Sequence, residues 1–139
     1  PKPEDKYVPK NYDEECICNG LRLLSEGKTD EGLGYLMIAW ADEDLWAGEL
    51  LSYGYTANWF GENDYPKALQ ILYKMVDRGY PMAMNNLGAM YMEGCGVNRS
   101  DRWAKYWFEK AVAHRYVFTM INLANISKTK WIEFVMFFA

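Results

Sequence analysis

Apolar positions recur along this chain in steps of three and four residues, and the pattern itself recurs at a longer interval. From Ala83 to Ala111 the chain reads AMNNLGAMYMEGCGVNRSDRWAKYWFEKA, two amphipathic helical patterns joined by a glycine-broken loop. Ala83, Leu87, Tyr91, Ala104, Trp107, Phe108, Lys110 and Ala111 stand 36 positions after Ala47, Leu51, Tyr55, Ala68, Ile71, Leu72, Lys74 and Met75. An interval held through two helices and the loop between them is the mark of a helical repeat.

The periodicity predicts eight helices. The first runs from about Tyr12 to Ser25, with Asn11 as its cap and Glu14 at capping-box spacing. The second runs from near Asp30 to Ala41, after the short link Lys28-Thr29, and the third from about Leu45 to Asn58, behind the acidic break Asp42, Glu43 and Asp44. Asp64 caps a fourth helix with Pro66 in its first turn, ending at Arg78-Gly79; Pro81 opens a fifth. A sixth spans about Ser100 to His114, and a seventh about Val117 to Ile126. Lys128 to Ala139 reads as an eighth. Before them, PKPEDKYVPK at 1–10 is proline-rich and charged, and is expected to be an extended or unfolded surface segment.

Glycines inside helices call for a reason, because each costs ~1 kcal/mol relative to alanine. Gly20, Gly32, Gly48 and Gly88 fall at or beside small positions of the repeat, where two helix backbones are expected to approach closely, the cost being offset by packing of Leu51, Leu72, Leu87 and Phe108.

Composition adds limits. Half of the 139 residues are hydrophobic and 17% are aromatic, which excludes a disordered chain. The longest apolar run near the end, Phe134 to Ala139, is far short of the ~20 residues that span a bilayer, so no membrane partner is expected. No basic segment followed by an apolar run opens the sequence, which predicts a cytoplasmic protein without a signal peptide. Cys16, Cys18 and Cys95 are an odd set without metal-site spacing and are expected to be reduced thiols. Charge is uneven: residues 1–64 hold 14 Asp and Glu against 5 Lys and Arg, a net −9, and residues 65–139 hold 5 against 10, a net +5. The acidic half either repels nucleic acid and attracts a basic partner or is simply a solvated acidic surface.

No catalytic constellation emerges. His114 sits at a helix end, where a cation complements the dipole. EGCGV lacks the Lys-Ser or Lys-Thr of a phosphate loop. Glu14-Glu15 and Asp42-Glu43-Asp44 lie at helix starts, where capping accounts for them, and Cys16 and Cys18 fall on different helix faces. The aromatic stretch at 106–108 and the pair Tyr53 and Tyr55 read as core or partner contact rather than base-stacking platforms. The chain is therefore expected to be no enzyme, to need no cofactor or metal, and to bind no nucleic acid.

Leu87, Gly88, Tyr91, Gly94, Gly96, Val97, Asp101, Ala104, Trp107, Phe108, Lys110 and Ala111 together resemble the Sel-one-like repeat (SLR) family, a relative of the tetratricopeptide repeat with a longer loop in each hairpin. The preceding repeat keeps Ala47, Leu51, Tyr55, Ala68 and Lys74, with Asn58 and Trp59 in place of the loop glycines and Gly61 nearby. The first hairpin is closer to a plain tetratricopeptide repeat at Gly20, Gly32, Leu36 and Ala39, and a last half-repeat keeps Leu123. The resemblance implies an all-α, right-handed α-solenoid of helix-turn-helix repeats over 11–139, with hairpins at about 12–41, 45–78 and 81–115 and a terminal segment at 117–139. It also implies that the first helix of each hairpin lines a concave face whose outward positions meet a partner protein: Glu14 and Ile17; Trp46, Glu49 and Tyr53; Met82, Asn85 and Glu93. A second candidate surface is the loop Trp59, Phe60, Gly61, Glu62, Asn63 and Asp64, whose adjacent aromatics are either exposed for use or tucked against the next hairpin. Small acidic cytoplasmic bacterial members of the family are often immunity proteins, so the resemblance and the charge together imply an immunity protein that neutralises a basic toxin; a scaffold or adaptor for signalling or secretion components is the alternative.

Overall fold

A computed structural model describes residues 7–114. Among them are six α-helices and no strand: α1 Tyr12–Ser25, α2 Thr29–Ala41, α3 Leu45–Thr56, α4 Tyr65–Asp77, α5 Pro81–Glu93 and α6 Asp101–Ala113. The fold is all-α and built of helical repeats. The seventh and eighth helices expected from sequence lie outside the described residues. None of the described helices is long and apolar enough to cross a membrane. The chain divides between Asp64 and Tyr65 into two compact units.

In the first unit α1 packs on α2 and α2 on α3. The Asn11 side chain accepts from the Glu14 N–H at 2.9 Å, and Asp44 accepts from the Ala47 N–H at 2.9 Å, so α1 and α3 both begin at a side-chain cap. Cys16, Ile17, Gly20 and Leu23 form the buried stripe of α1. Gly20 faces Gly32 so closely that a Cβ at Gly32 would lie 2.9 Å from the Gly20 carbonyl oxygen and 2.8 Å from Leu24 Cγ. These two glycines are thus required by backbone contact, which outweighs their poor helix propensity.

In the second unit α4 packs on α5 and α5 on α6. Pro81 occupies the first turn of α5, where its missing N–H removes no helical bond. The Ser100 side chain caps α6 by accepting from the Trp103 N–H at 3.2 Å. Leu72, Met75, Met84, Leu87 and Phe108 are fully buried. The Phe108 ring packs against Gly88, where a Cβ would come within 2.4 Å of it.

Helix ends carry the repeat into the backbone. The five helices α1 to α5 are each followed by a left-handed residue: Gly27 (φ 78°), Glu43 (63°), Asn58 (62°), Gly79 (75°) and Gly94 (72°). After each, the next N–H reaches back five residues to a helix carbonyl: Lys28 to Leu23, Asp44 to Ala39, Trp59 to Gly54, Tyr80 to Met75 and Cys95 to Met90. This is the Schellman closure, and it recurs at the 36-residue interval, 43 with 79 and 58 with 94. The interval also relates Asp64 N–H to Tyr55 O (3.0 Å) and Ser100 N–H to Tyr91 O (2.9 Å). Asn58 therefore takes the place of Gly94, and α3 stops at Thr56 rather than at Asn58 because the left-handed turn has begun.

The interval fails at α1. Residues 26–28 separate α1 from α2, whereas 57–64 separate α3 from α4, so the first turn is five residues shorter and α1 aligns with α3 at an offset of 31. The buried set Cys16, Ile17, Gly20 and Leu23 then falls on Ala47, Gly48, Leu51 and Gly54, all buried.

Candidate functional site

The outward face of α3 is set by its buried one. With Ala47, Gly48, Leu51, Ser52, Gly54 and Tyr55 turned inward, Trp46, Glu49 and Tyr53 share the remaining stripe at i, i+3 and i+7. Tyr53 is 57% exposed and Trp46 38%, while Glu49 is half-buried. The loop that follows folds back on this helix. Trp59 meets Tyr53 edge to face at a centroid distance of 5.2 Å, and Phe60 meets Tyr55 at 5.0 Å. What admits them is Gly54: a Cβ there would lie 2.6 Å from Phe60 Cε2 and 3.0 Å from Trp59 Cε3. The two surfaces expected from sequence, the α3 stripe and the aromatic loop, thus meet at Tyr53 and Trp59 in one surface. Phe60 is the anchor of that arrangement and is half-buried, whereas Trp59 keeps 37% of its surface exposed. Glu62 is exposed and Asp64 half-buried at the loop's end.

On α1 the sequence expectation is corrected. Ile17 is wholly buried, because the shorter first turn moves it to the register of Gly48. The α1 positions equivalent to Trp46, Glu49 and Tyr53 are Glu15, Cys18 and Arg22, and these are exposed, half-buried and exposed in the same order. Glu14 serves local structure. Its Oε2 accepts from the Tyr7 hydroxyl at 2.6 Å and from the Lys10 N–H at 2.7 Å, tying residues 7–10 to the helix start in place of the reciprocal bond to Asn11 that a capping box would make. The Tyr7 hydrogen bond, then the Lys10 N–H, hold the Glu14 carboxyl below its ordinary value, and the same contact pushes Tyr7 up to about 12.

Beside α1, the turn between α2 and α3 brings carboxylates together. Asp13 is raised above the usual carboxylate range by partial burial first, then by a hydrogen bond with the Asp42 side chain and by the charges of Asp42 and Asp44. Its Oδ1 is buried without a hydrogen-bond partner. The excess acid of this half is therefore dense enough for its members to oppose one another's ionisation.

Met82, Asn85 and Glu93 belong to the second unit. Met82 and Asn85 are half-buried, and Met82 Sδ accepts from the Asn86 side chain at 2.8 Å. Glu93 is exposed. An aromatic surface also lies here, of which sequence reading singled out only the stretch at 106–108. Trp103, Tyr106 and Trp107 follow one another along α6, Tyr91 adjoins Trp103, and Tyr73 adjoins Trp107. The Tyr73 and Tyr91 hydroxyls hydrogen-bond at 3.0 Å, and Lys110 sits over the rings of Tyr106 (5.8 Å) and Trp107 (5.3 Å). The spacing 103, 106, 107 and 110 was the available signal. His114 is a helix-end residue whose Nδ1–H donates to the Lys110 carbonyl at 2.8 Å. Cys16, Cys18 and Cys95 are free thiols.

Neither a known protein-family profile nor a curated protein sequence matches this chain.

Proposed function

We propose that this chain is a non-enzymatic protein-binding module, a right-handed solenoid of Sel-one-like repeats that acts as a cytoplasmic immunity protein and holds a basic toxin on its acidic first unit. The observation that carries this reading is the joined surface of Trp46, Glu49, Tyr53 and Trp59. It is aromatic, held in place by Gly54 and Phe60, and set in the half of the chain with a net charge of −9. Large rigid aromatics supply binding energy at low entropic cost, and like-signed charge around them selects and steers an oppositely charged partner. The repeat resemblance supplies the class of protein; the surface supplies the mode of contact.

Purification of the tagged protein from its native host tests the proposal. The expected result is one stoichiometric basic partner, bound steeply more weakly at high salt and lost on combining Glu49→Lys with Tyr53→Ala while the melting temperature is kept. A salt-insensitive complex removes the electrostatic part, and a mixture of partners favours a scaffold or adaptor.

A further inference from the structure

The two halves of the chain treat their exposed rings differently. On α6 the chain supplies its own cation: Lys110 stands four residues after Tyr106 and three after Trp107, and lies over both rings. On α3 the positions three and four residues after Tyr53 are Thr56 and Ala57, so that helix offers no cation to the Tyr53 ring. A carboxylate stands there instead, since Glu49 is one turn before Tyr53 on the same stripe. The Tyr53 and Trp59 rings meet edge to face at 69°, forming a corner whose two rings remain 57% and 37% exposed. That corner is built before any partner arrives, because the Trp59 N–H is bonded to the Gly54 carbonyl at 2.9 Å and Phe60 fills the notch at Gly54.

We propose that this corner is a receptor for an arginine side chain of the partner protein, stacked on the rings and paired with Glu49; the proposal rests on the protein-binding reading above. Charge complementarity selects a cation, since the surrounding half carries −9. Two flat walls and an adjacent carboxylate select arginine over lysine: the guanidinium is planar, weakly hydrated, and keeps its in-plane donors free for a carboxylate while its face lies on a ring. Lysine, a compact and strongly hydrated point charge, gains less from the same walls.

The test uses the full chain and three short peptides, acetyl-Gly-Ser-X-Ser-Gly-amide, with X as arginine, lysine or citrulline. Citrulline keeps the plane and loses the charge. The Trp59 indole N–H is followed by NMR and identified with Trp59→Phe. The arginine peptide is expected to shift this signal saturably in the millimolar range, with citrulline weaker by about tenfold and lysine between them. Tyr53→Ala should abolish the shift, Tyr53→Phe should keep it, and Glu49→Gln should weaken it by about three- to tenfold and flatten its salt dependence. Equal binding of the arginine and citrulline peptides, or no saturable shift by the arginine peptide, overturns the receptor. With the co-purified partner, loss of binding in Tyr53→Ala but not on replacing the partner's arginines by lysines overturns the arginine receptor and leaves the surface standing. Indifference to Tyr53→Ala overturns the surface itself.

Discussion

Gly54→Ala sets two effects of known size against each other. Within a helix, alanine is favoured over glycine by about 1 kcal/mol. Gly34, exposed in α2 with nothing within 4 Å of an added Cβ, should show that gain undiluted. At Gly54 the added Cβ would stand 2.6 Å from two atoms of the Phe60 ring. Carbon atoms pack best at about 3.5–4.0 Å, so the ring must retreat by about 1 Å. Tyr55 and Trp59 stand against the same ring and resist its movement. Overpacking of this kind costs about 1–3 kcal/mol. Expulsion of Phe60 would cost no more than about 1.5–3 kcal/mol, the value for a fully buried aromatic.

The net expectation is that Gly54→Ala changes stability by about 0–2 kcal/mol in the destabilising direction while Gly34→Ala stabilises by up to about 1 kcal/mol. Urea denaturation followed by tryptophan fluorescence reads both, as midpoints moving in opposite directions at constant slope. A double-mutant cycle isolates the cause: with Phe60→Ala in place the clash disappears, and Gly54→Ala should turn stabilising, a coupling of at least about 1 kcal/mol. Gly54→Ala as stabilising as Gly34→Ala in the parent chain would refute the notch and, with it, the preorganised corner at Trp59.

Three further outcomes follow from the same geometry. Glu43→Gly should raise stability by about 1 kcal/mol in thermal melts, because Glu43 holds the left-handed position (φ 63°) that Gly79 holds one repeat later. Asp13→Asn should raise the melting temperature at pH 7. Since the Asp13 carboxyl is raised in the folded state, the parent gains stability as pH falls through that raised value toward the ordinary one near 3.9, so the variant's advantage should fade over that window. Glu14 and Glu26, whose carboxyls are lowered, act with the opposite sign, and the difference between variant and parent at each pH cancels them. Leu87→Ala, at a fully buried position, should cost about 2–5 kcal/mol in urea unfolding; a midpoint close to the parent's would remove Leu87 from the core.

Local chemistry made the helices legible in the sequence. Asn11, Asp44, Pro81 and Ser100 each act within one turn of where they stand, and Gly27, Gly79 and Gly94 mark helix ends through their own backbone. Ile17 was misread because its place depends on the length of a turn ten residues on, which shifts α1 by five residues against the repeat. Glu14 was misread because its carboxylate turned back to Tyr7 and Lys10, contacts that helical spacing does not foretell. The destination of Trp59 and Phe60 depended on Gly54, a residue that reads in sequence only as a weak helix former.

The 36-residue interval separates what the turn needs from what it does not. Both loops are closed by equivalent backbone bonds, 59 to 54 and 95 to 90, then 64 to 55 and 100 to 91, so neither needs aromatic side chains to hold its path. Yet size is exchanged between equivalent positions: Gly54 with Phe60 in the first loop, Met90 with Gly96 in the second. Gly96 is left-handed (φ 71°) and sits where a Cβ would strike Tyr65 at 2.5 Å, so its smallness serves the turn. Phe60 has no such constraint. Its ring fills a notch that exists only because position 54 lacks a side chain, and the result is to fix Trp59 beside Tyr53 on the face where Glu49 and Trp46 already stand. A side chain that the repeat does not require, matched to a cavity that weakens its helix, is better accounted for by the surface it organises than by the fold it interrupts.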